Sequence, residues 1–114
     1  MSSNRLRRRA ALEDRASVFA ALGDETRLTL VGKLSNGAPQ SITRLAEGTP
    51  LTRQAITKHL RVLEGAGLVR GVKLGRENLF ELRPQPLADV RTYLAEVSDQ
   101  WDQALARLRD FVEK

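Results

Sequence analysis

The stretch Leu51-Thr52-Arg53-Gln54-Ala55-Ile56-Thr57-Lys58-His59-Leu60-Arg61-Val62-Leu63-Glu64-Gly65-Ala66-Gly67-Leu68-Val69 decides how this chain folds. The Thr52 hydroxyl can accept the backbone N–H of a residue two or three places on, so Thr52 reads as the cap of a helix. Apolar residues then recur at helical spacing to about Ala66. Gly67 is placed as the left-handed residue past the helix end, with Leu68 as its apolar partner. On a wheel of about 100° per residue, Arg53, Thr57, Arg61, Gln54 and Lys58 fall within an arc of about 140°. Ile56, Leu60, Leu63, Ala55, His59, Val62 and Ala66 take the opposite arc. One face is made to be buried, and the other carries two Arg, one Lys, one Gln and one Thr with no acid.

Moving toward the N-terminus, Gly48-Thr49-Pro50 is a tight turn, and Ser41 caps a short helix carrying Ile42, Leu45 and Ala46. A short helix, a tight turn and a second helix make a helix-turn-helix. Asn36-Gly37-Ala38-Pro39 is an earlier turn. Asp24 caps a helix over 25–34 with Leu28, Val31 and Leu34 predicted inward. Before it, Arg15 to Leu22 forms a helix that Gly23 ends. Residues 1–14 read as a basic arm, partly disordered or the start of that first helix.

Moving toward the C-terminus, the period changes to that of two short strands around Leu74-Gly75-Arg76-Glu77-Asn78, with Val72, Leu74, Phe80 and Leu82 as their apolar residues. Pro84 and Pro86 close this hairpin, and a last helix runs from about Leu87 to Val112. In it Leu87, Val90, Leu94, Val97, Trp101, Ala104, Leu108 and Phe111 keep an unbroken heptad spacing, widened by Tyr93, Leu105 and Val112. A helix of about 26 residues is about 39 Å long, more than a domain with a radius of gyration near 13 Å can cover. The uncovered apolar stripe predicts self-association. The expected fold is therefore mainly α with a small β-hairpin: four N-terminal helices and a hairpin wing at about 68–82 form a winged helix-turn-helix domain over residues 15–83, with its second helix at about 52–66, and a long C-terminal dimerisation helix follows over 84–114.

Composition narrows what such a fold can do. The chain has 114 residues, one domain's worth, and is 41% apolar. Cysteine is absent, which excludes disulfides and thiolate metal sites, and one histidine leaves little for transition metals. The polar and then basic start, Met1 to Arg9, has no apolar stretch behind it, and no apolar run is long enough to span a membrane. The expectation is a cytoplasmic protein of bacterial type, associated with the nucleoid and with no membrane partner and no cofactor. The net charge of +5 is uneven: residues 52–76 alone sum to +5 and residues 1–16 to +3, while 84–114 sum to −2. A concentration of positive charge on one segment suits a polyanion.

The polar face of the second helix fits the major groove of double-stranded DNA. Arg pairs bidentately with guanine and Gln with adenine, while Lys and Thr reach phosphates or base edges. Arg53, Gln54 and Thr57 are predicted near bases, Lys58 and Arg61 nearer phosphates, with Thr52 at the head of the helix. Lys73 and Arg76, near the hairpin tip, are predicted to lie along the backbone or minor groove. His59, on the inward side, is predicted to be a packed or hydrogen-bonded structural residue.

These residues also carry a resemblance. Phe19-Ala20-Ala21-Leu22-Gly23-Asp24-Glu25-Thr26-Arg27-Leu28 resembles the opening segment of the ArsR-type (arsenic-repressor-like) winged-helix repressors. Leu51 to Glu64 resembles their recognition helix, and Ala66-Gly67-Leu68-Val69 the lead into their wing. The match spans roughly residues 16–83. It implies a homodimeric repressor of a palindromic operator that pairs through its first and last helices. Val18 and Leu22 would then join Leu87, Val90, Leu94, Val97, Trp101, Leu105 and Leu108 in the dimer interface. The family's metal sensors need cysteines on the short helix, where this chain has Ser41, Ile42 and Thr43, or histidines on the last helix, where it has none. Arg76-Glu77-Asn78-Leu79-Phe80-Glu81-Leu82, Pro84-Gln85-Pro86-Leu87 and the Trp-bearing helix after them resemble a subgroup that does not sense metals.

Two other readings share these features: a small-molecule effector held near Trp101 and Tyr93 at the dimer seam, and a protein-interaction module using the last helix. An enzyme is the reading least supported, because the chain has no Cys, its one His faces inward, and it lacks a Gly-rich phosphate loop or paired carboxylates.

Overall fold

A computed structural model describes residues 2–113. Its elements run α1 (Ser2–Leu22), α2 (Glu25–Leu34), β1 (Gln40–Ser41), α3 (Ile42–Ala46), α4 (Arg53–Gly65), β2 (Val69–Leu74), β3 (Glu77–Leu82) and α5 (Pro84–Glu113). Three of the helix starts are fixed by the expected side chains. Asp24 accepts from the Arg27 N–H at 3.0 Å, Ser41 from that of Arg44 at 3.1 Å, and Thr52 from that of Ala55 at 3.1 Å. Such a cap stabilises a helix by about 1 kcal/mol. The end of α4 is set as firmly. Gly67 takes φ +77°, its N–H donates to the Glu64 carbonyl at 2.9 Å, and the Leu68 N–H reaches the Leu63 carbonyl at 2.9 Å. These are the paired bonds of a glycine-terminated helix.

Leu30, Leu34, Leu45, Ile56, Leu60, Leu63, Leu68 and Val69 are fully buried, and Val18, Ala21, Phe80 and Val90 complete the core around them. Each large apolar side chain contributes about 1.5–3 kcal/mol on burial. The core thus draws on α1 to α4, the sheet and the first turns of α5. Leu87 packs against it and Val90 lies in it, so the start of α5 belongs to the same body as residues 15–83 rather than to a separate C-terminal unit.

The structure departs from the sequence reading at several points. Helix α1 begins at Ser2, so of the two alternatives for residues 1–14 the arm is the start of the first helix rather than a disordered segment. Leu28 is exposed and Leu30 takes the inward place on α2, because burial there is set by which side α1 and α4 leave open. Leu74 and Val62 are also exposed. The hairpin gains a third strand. Gln40 and Ser41 pair antiparallel with Phe80 and Leu79, which makes β3 the central strand in the order β1-β3-β2. As the central strand, β3 is hydrogen-bonded along both edges, and its adjacent residues Leu79 and Phe80 are both buried. Helix α5 begins at Pro84, which brings both prolines into its first turn, where a missing N–H does no harm.

Two contacts orient the short helix. The Lys33 ammonium donates to the Leu45 and Glu47 carbonyls at 2.9 Å each, which satisfies the C-terminal end of α3 from α2. Gln40 Nε2 donates to the Lys33 carbonyl at 2.6 Å. Together these fix the exit of the chain into the turn ahead of α4.

Candidate nucleic-acid interface

Helix α4 buries Ile56, Leu60 and Leu63 completely, which turns Arg53, Gln54, Lys58 and Arg61 outward, all exposed, with Thr57 half-buried beside them. Thr52, at the head of the helix, is exposed and uses its Oγ1 as the cap acceptor. Thr57 Oγ1 donates to the Arg53 carbonyl at 2.8 Å, so its hydroxyl proton is engaged and it offers its methyl group and oxygen lone pairs. The expected base-facing trio and the two expected phosphate partners therefore share one face of one helix.

That face is not free of acid. Arg61 Nη1 donates to Glu64 Oε1 at 2.8 Å, an exposed pair three residues apart. The spacing was visible in the sequence, and the partnership follows from it. Arg70 is likewise paired, its Nε 2.6 Å from Glu81 Oε1 across the hairpin, as the register Arg70↔Glu81 requires. Two of the six cations in residues 52–76 are thus matched by carboxylates. Among the described residues, no ion pair involves Arg53, Lys58, Lys73 or Arg76.

The wing is a two-residue hairpin with Leu74 opposite Glu77. Gly75 holds φ +60°, and no non-glycine residue among those described has positive φ, so Gly75-Arg76 is a type II′ turn with glycine at its first central place. Arg76 is in the turn and Lys73 one residue before Leu74, both exposed at the tip.

His59 stands at the edge of the buried face, half-covered, with Nδ1 3.4 Å from Arg27 Nη1 and 3.7 Å from Asp24 Oδ2. Arg27, named in the sequence only as part of the opening segment and given no role there, also donates from Nε to the Ala21 carbonyl at 2.6 Å. The backbone N–H of Arg27 holds the Asp24 carboxyl below its ordinary value. The charge of Arg27 acts in the same direction, against partial desolvation.

The predicted dimer residues separate into two groups. Val18, 4% exposed, and Val90 lie inside the chain's own core, with Leu22 and Leu87 packed against it. Val18 and Val90 are spent within the protomer, where the inward face of α1 meets the start of α5, while Leu22 and Leu87 are partly covered there. Val97 is half-buried, while Leu94, Trp101, Leu105 and Leu108 are exposed, and Phe111 and Val112 extend the exposed stripe. Tyr93 and Trp101 do not share a pocket in the protomer. Tyr93 meets Phe19 edge to face at 6.2 Å and lies beneath the Arg15 guanidinium at 5.1 Å, while Trp101 is 64% exposed. An open groove of about 480 Å³ instead runs between α1, the end of α4 and the start of α5, lined by Val18, Gly67 and Val90 among others. No helix among the described residues is long and apolar enough to cross a membrane.

Comparison with known proteins places this geometry. Residues 13–72 match a family model described as a helix-turn-helix domain. The chain is 35% identical over 100 residues to the HTH-type transcriptional regulator Rv2034 of Mycobacterium tuberculosis, covering 88% of each chain. Its structure superposes on an ArsR-like transcriptional regulator from Rhodococcus sp. RHA1 with a TM-score of 0.78 at 39% identity, over 90% of this chain and 95% of that one. It shares its fold with a homodimeric winged helix-turn-helix DNA-binding domain from Mycobacterium bovis, at a TM-score of 0.64 and 24% identity, covering 89% and 90% of the two chains.

Proposed function

The chain belongs to the ArsR-type winged helix-turn-helix transcriptional regulators, which bind DNA, and from that premise we propose that it acts as a homodimeric repressor of a palindromic operator. Helix α4 enters the major groove with Arg53, Gln54 and Thr57 at base edges, and with Thr52, Lys58 and Arg61 toward phosphates. Lys73 and Arg76 lie along the adjoining backbone or minor groove. The observation that carries this reading is the α4 face on which Arg53 and Lys58 are exposed without a carboxylate partner, above an apolar face buried in the core.

The pairing rests on the C-terminal half of α5. After Val90 that helix has no fully buried residue, yet it carries Leu94, Trp101, Leu105, Leu108 and Phe111 at its surface. An apolar stripe of that length is covered by a second copy at least expense. The fold relative from Mycobacterium bovis is itself homodimeric, which supports pairing with a second copy. Two recognition helices about 34 Å apart then read two half-sites one helical turn apart. Regulation proceeds without a metal, because Ser41, Ile42 and Thr43 offer no thiolate on and around α3.

Selection of bound sequences from random duplexes tests the proposal. The expected result is an inverted repeat whose affinity falls about 10³–10⁵-fold between 50 and 200 mM salt, as six to ten phosphate contacts require, and is unchanged by a chelator. A selected site without two-fold symmetry, or no enrichment at all, would overturn it.

A further inference from the structure

Three helices meet at one side chain. Arg27, on α2, donates from Nε to the Ala21 carbonyl at 2.6 Å and from Nη2 to the Ala20 carbonyl at 3.4 Å, closing the last turn of α1. Its third nitrogen, Nη1, lies 3.4 Å from Nδ1 of His59 on α4. A guanidinium has donors and no acceptor, so in this hydrogen bond Nδ1 is the accepting nitrogen. The imidazole is therefore tied to the α1–α2 junction through Arg27.

We infer that Arg27 and His59 are positioning residues for DNA binding: their contact sets the roll of α4 against α1 and α2, and so the aim of Arg53, Gln54 and Lys58. The inference rests on the reading of α4 as the DNA-contacting helix. The fully buried contacts of α4 with the core come from Ile56, Leu60 and Leu63, and apolar burial is not directional. A hydrogen bond is directional, and this one sits at the edge of the buried face, where it opposes rotation. A roll of about 20° on a helix about 10–12 Å across moves side-chain tips by about 2 Å, more than a bidentate base contact tolerates. Arg27 also holds the end of α1, and α1 packs on α5 through Phe19 and Tyr93, so this node joins the recognition helix to the α1–α5 pair.

The test compares His59→Phe, which keeps a ring and loses the acceptor, with His59→Asn, whose Oδ1 stands near the place of Nδ1. The readout is the ratio of affinities for the selected operator and a scrambled duplex, with thermal unfolding recorded alongside. Phe at this position should reduce the ratio about tenfold or more while binding to the scrambled duplex stays within about threefold, and Asn should recover most of the loss. Arg27→Lys should reduce the ratio similarly, and combined with His59→Phe should add little. An undiminished ratio in His59→Phe overturns the inference, as does His59→Asn being folded yet no better than Phe. If His59→Phe does not fold, His59→Gln, with its oxygen one bond farther out, takes its place under the same expectation. Failure of the unaltered protein to bind any duplex would strike the reading of α4 itself, a separate result.

Discussion

Arg61 donates to the Glu64 carboxylate at 2.8 Å on the exposed surface of α4, so a carboxylate is held against one of the cations expected to meet phosphate. An exposed pair of this kind is worth about 0–1 kcal/mol, little enough for DNA to take Arg61 away from it. What remains is the acid, which repels phosphate. Glu64→Gln should therefore tighten binding to every duplex about two- to tenfold and leave thermal stability nearly unchanged. Fluorescence titration of operator and scrambled duplexes checks this; tightening confined to the operator would contradict it.

Arg53 and Gln54 are exposed on the first turn of α4, and Lys73 lies near the wing tip. Arg53→Ala and Gln54→Ala should each cost about 1–3 kcal/mol on the operator and relax preference at particular base pairs. Lys73→Ala should weaken all sequences alike and reduce the salt slope by about one. If the wing variant changed sequence preference and the α4 variants did not, the assignment of the two elements would be reversed.

Trp101 is the only tryptophan of the chain and is 64% exposed in the protomer. Pairing through α5 should bury it, so its emission should shift to shorter wavelength as protein concentration rises. Trp101→Glu should move the solution mass from twice 12.7 kDa to a single chain and lower operator affinity by about a hundredfold or more, because one half-site would then bind alone. A variant that sediments as the parent does would place the seam elsewhere.

Asp24 caps α2, and its carboxyl titrates below the ordinary value of 3.8, chiefly because the Arg27 N–H donates to it. A lowered folded-state value means that the stabilisation is complete above 3.8 and fades as pH falls through the lower, folded one. Asp24→Ala should thus lower Tm at neutral pH, and the gap to the parent should narrow only below that value. Thermal scans at neutral and strongly acidic pH decide it; a gap independent of pH would show that the charge plays no part.

Much of the architecture is local in origin and could be read from the chain. Asp24, Ser41 and Thr52 cap helices through bonds to residues three places on, and Gly67 ends α4 through bonds within six residues. The polar and apolar faces of α4 follow from a period of 3.6. What escaped the reading is what depends on distant partners. Gln40 and Ser41 become a strand only because Phe80 and Leu79 arrive beside them. Leu30 is buried and Leu28 exposed because neighbouring helices choose the side. Nothing near Arg27 in sequence announces His59, which lies 32 residues away. Of the candidate site, the sequence alone located Arg53, Gln54, Thr57, Lys58 and Arg61 on one helix face, since a helix's geometry orders its own residues. Whether a given charge on that surface is free or matched, and which apolar residues of α1 and α5 are spent inside the protomer, was decided by tertiary packing. Those questions concern pairs of atoms brought together by the whole fold, and no local periodicity encodes them.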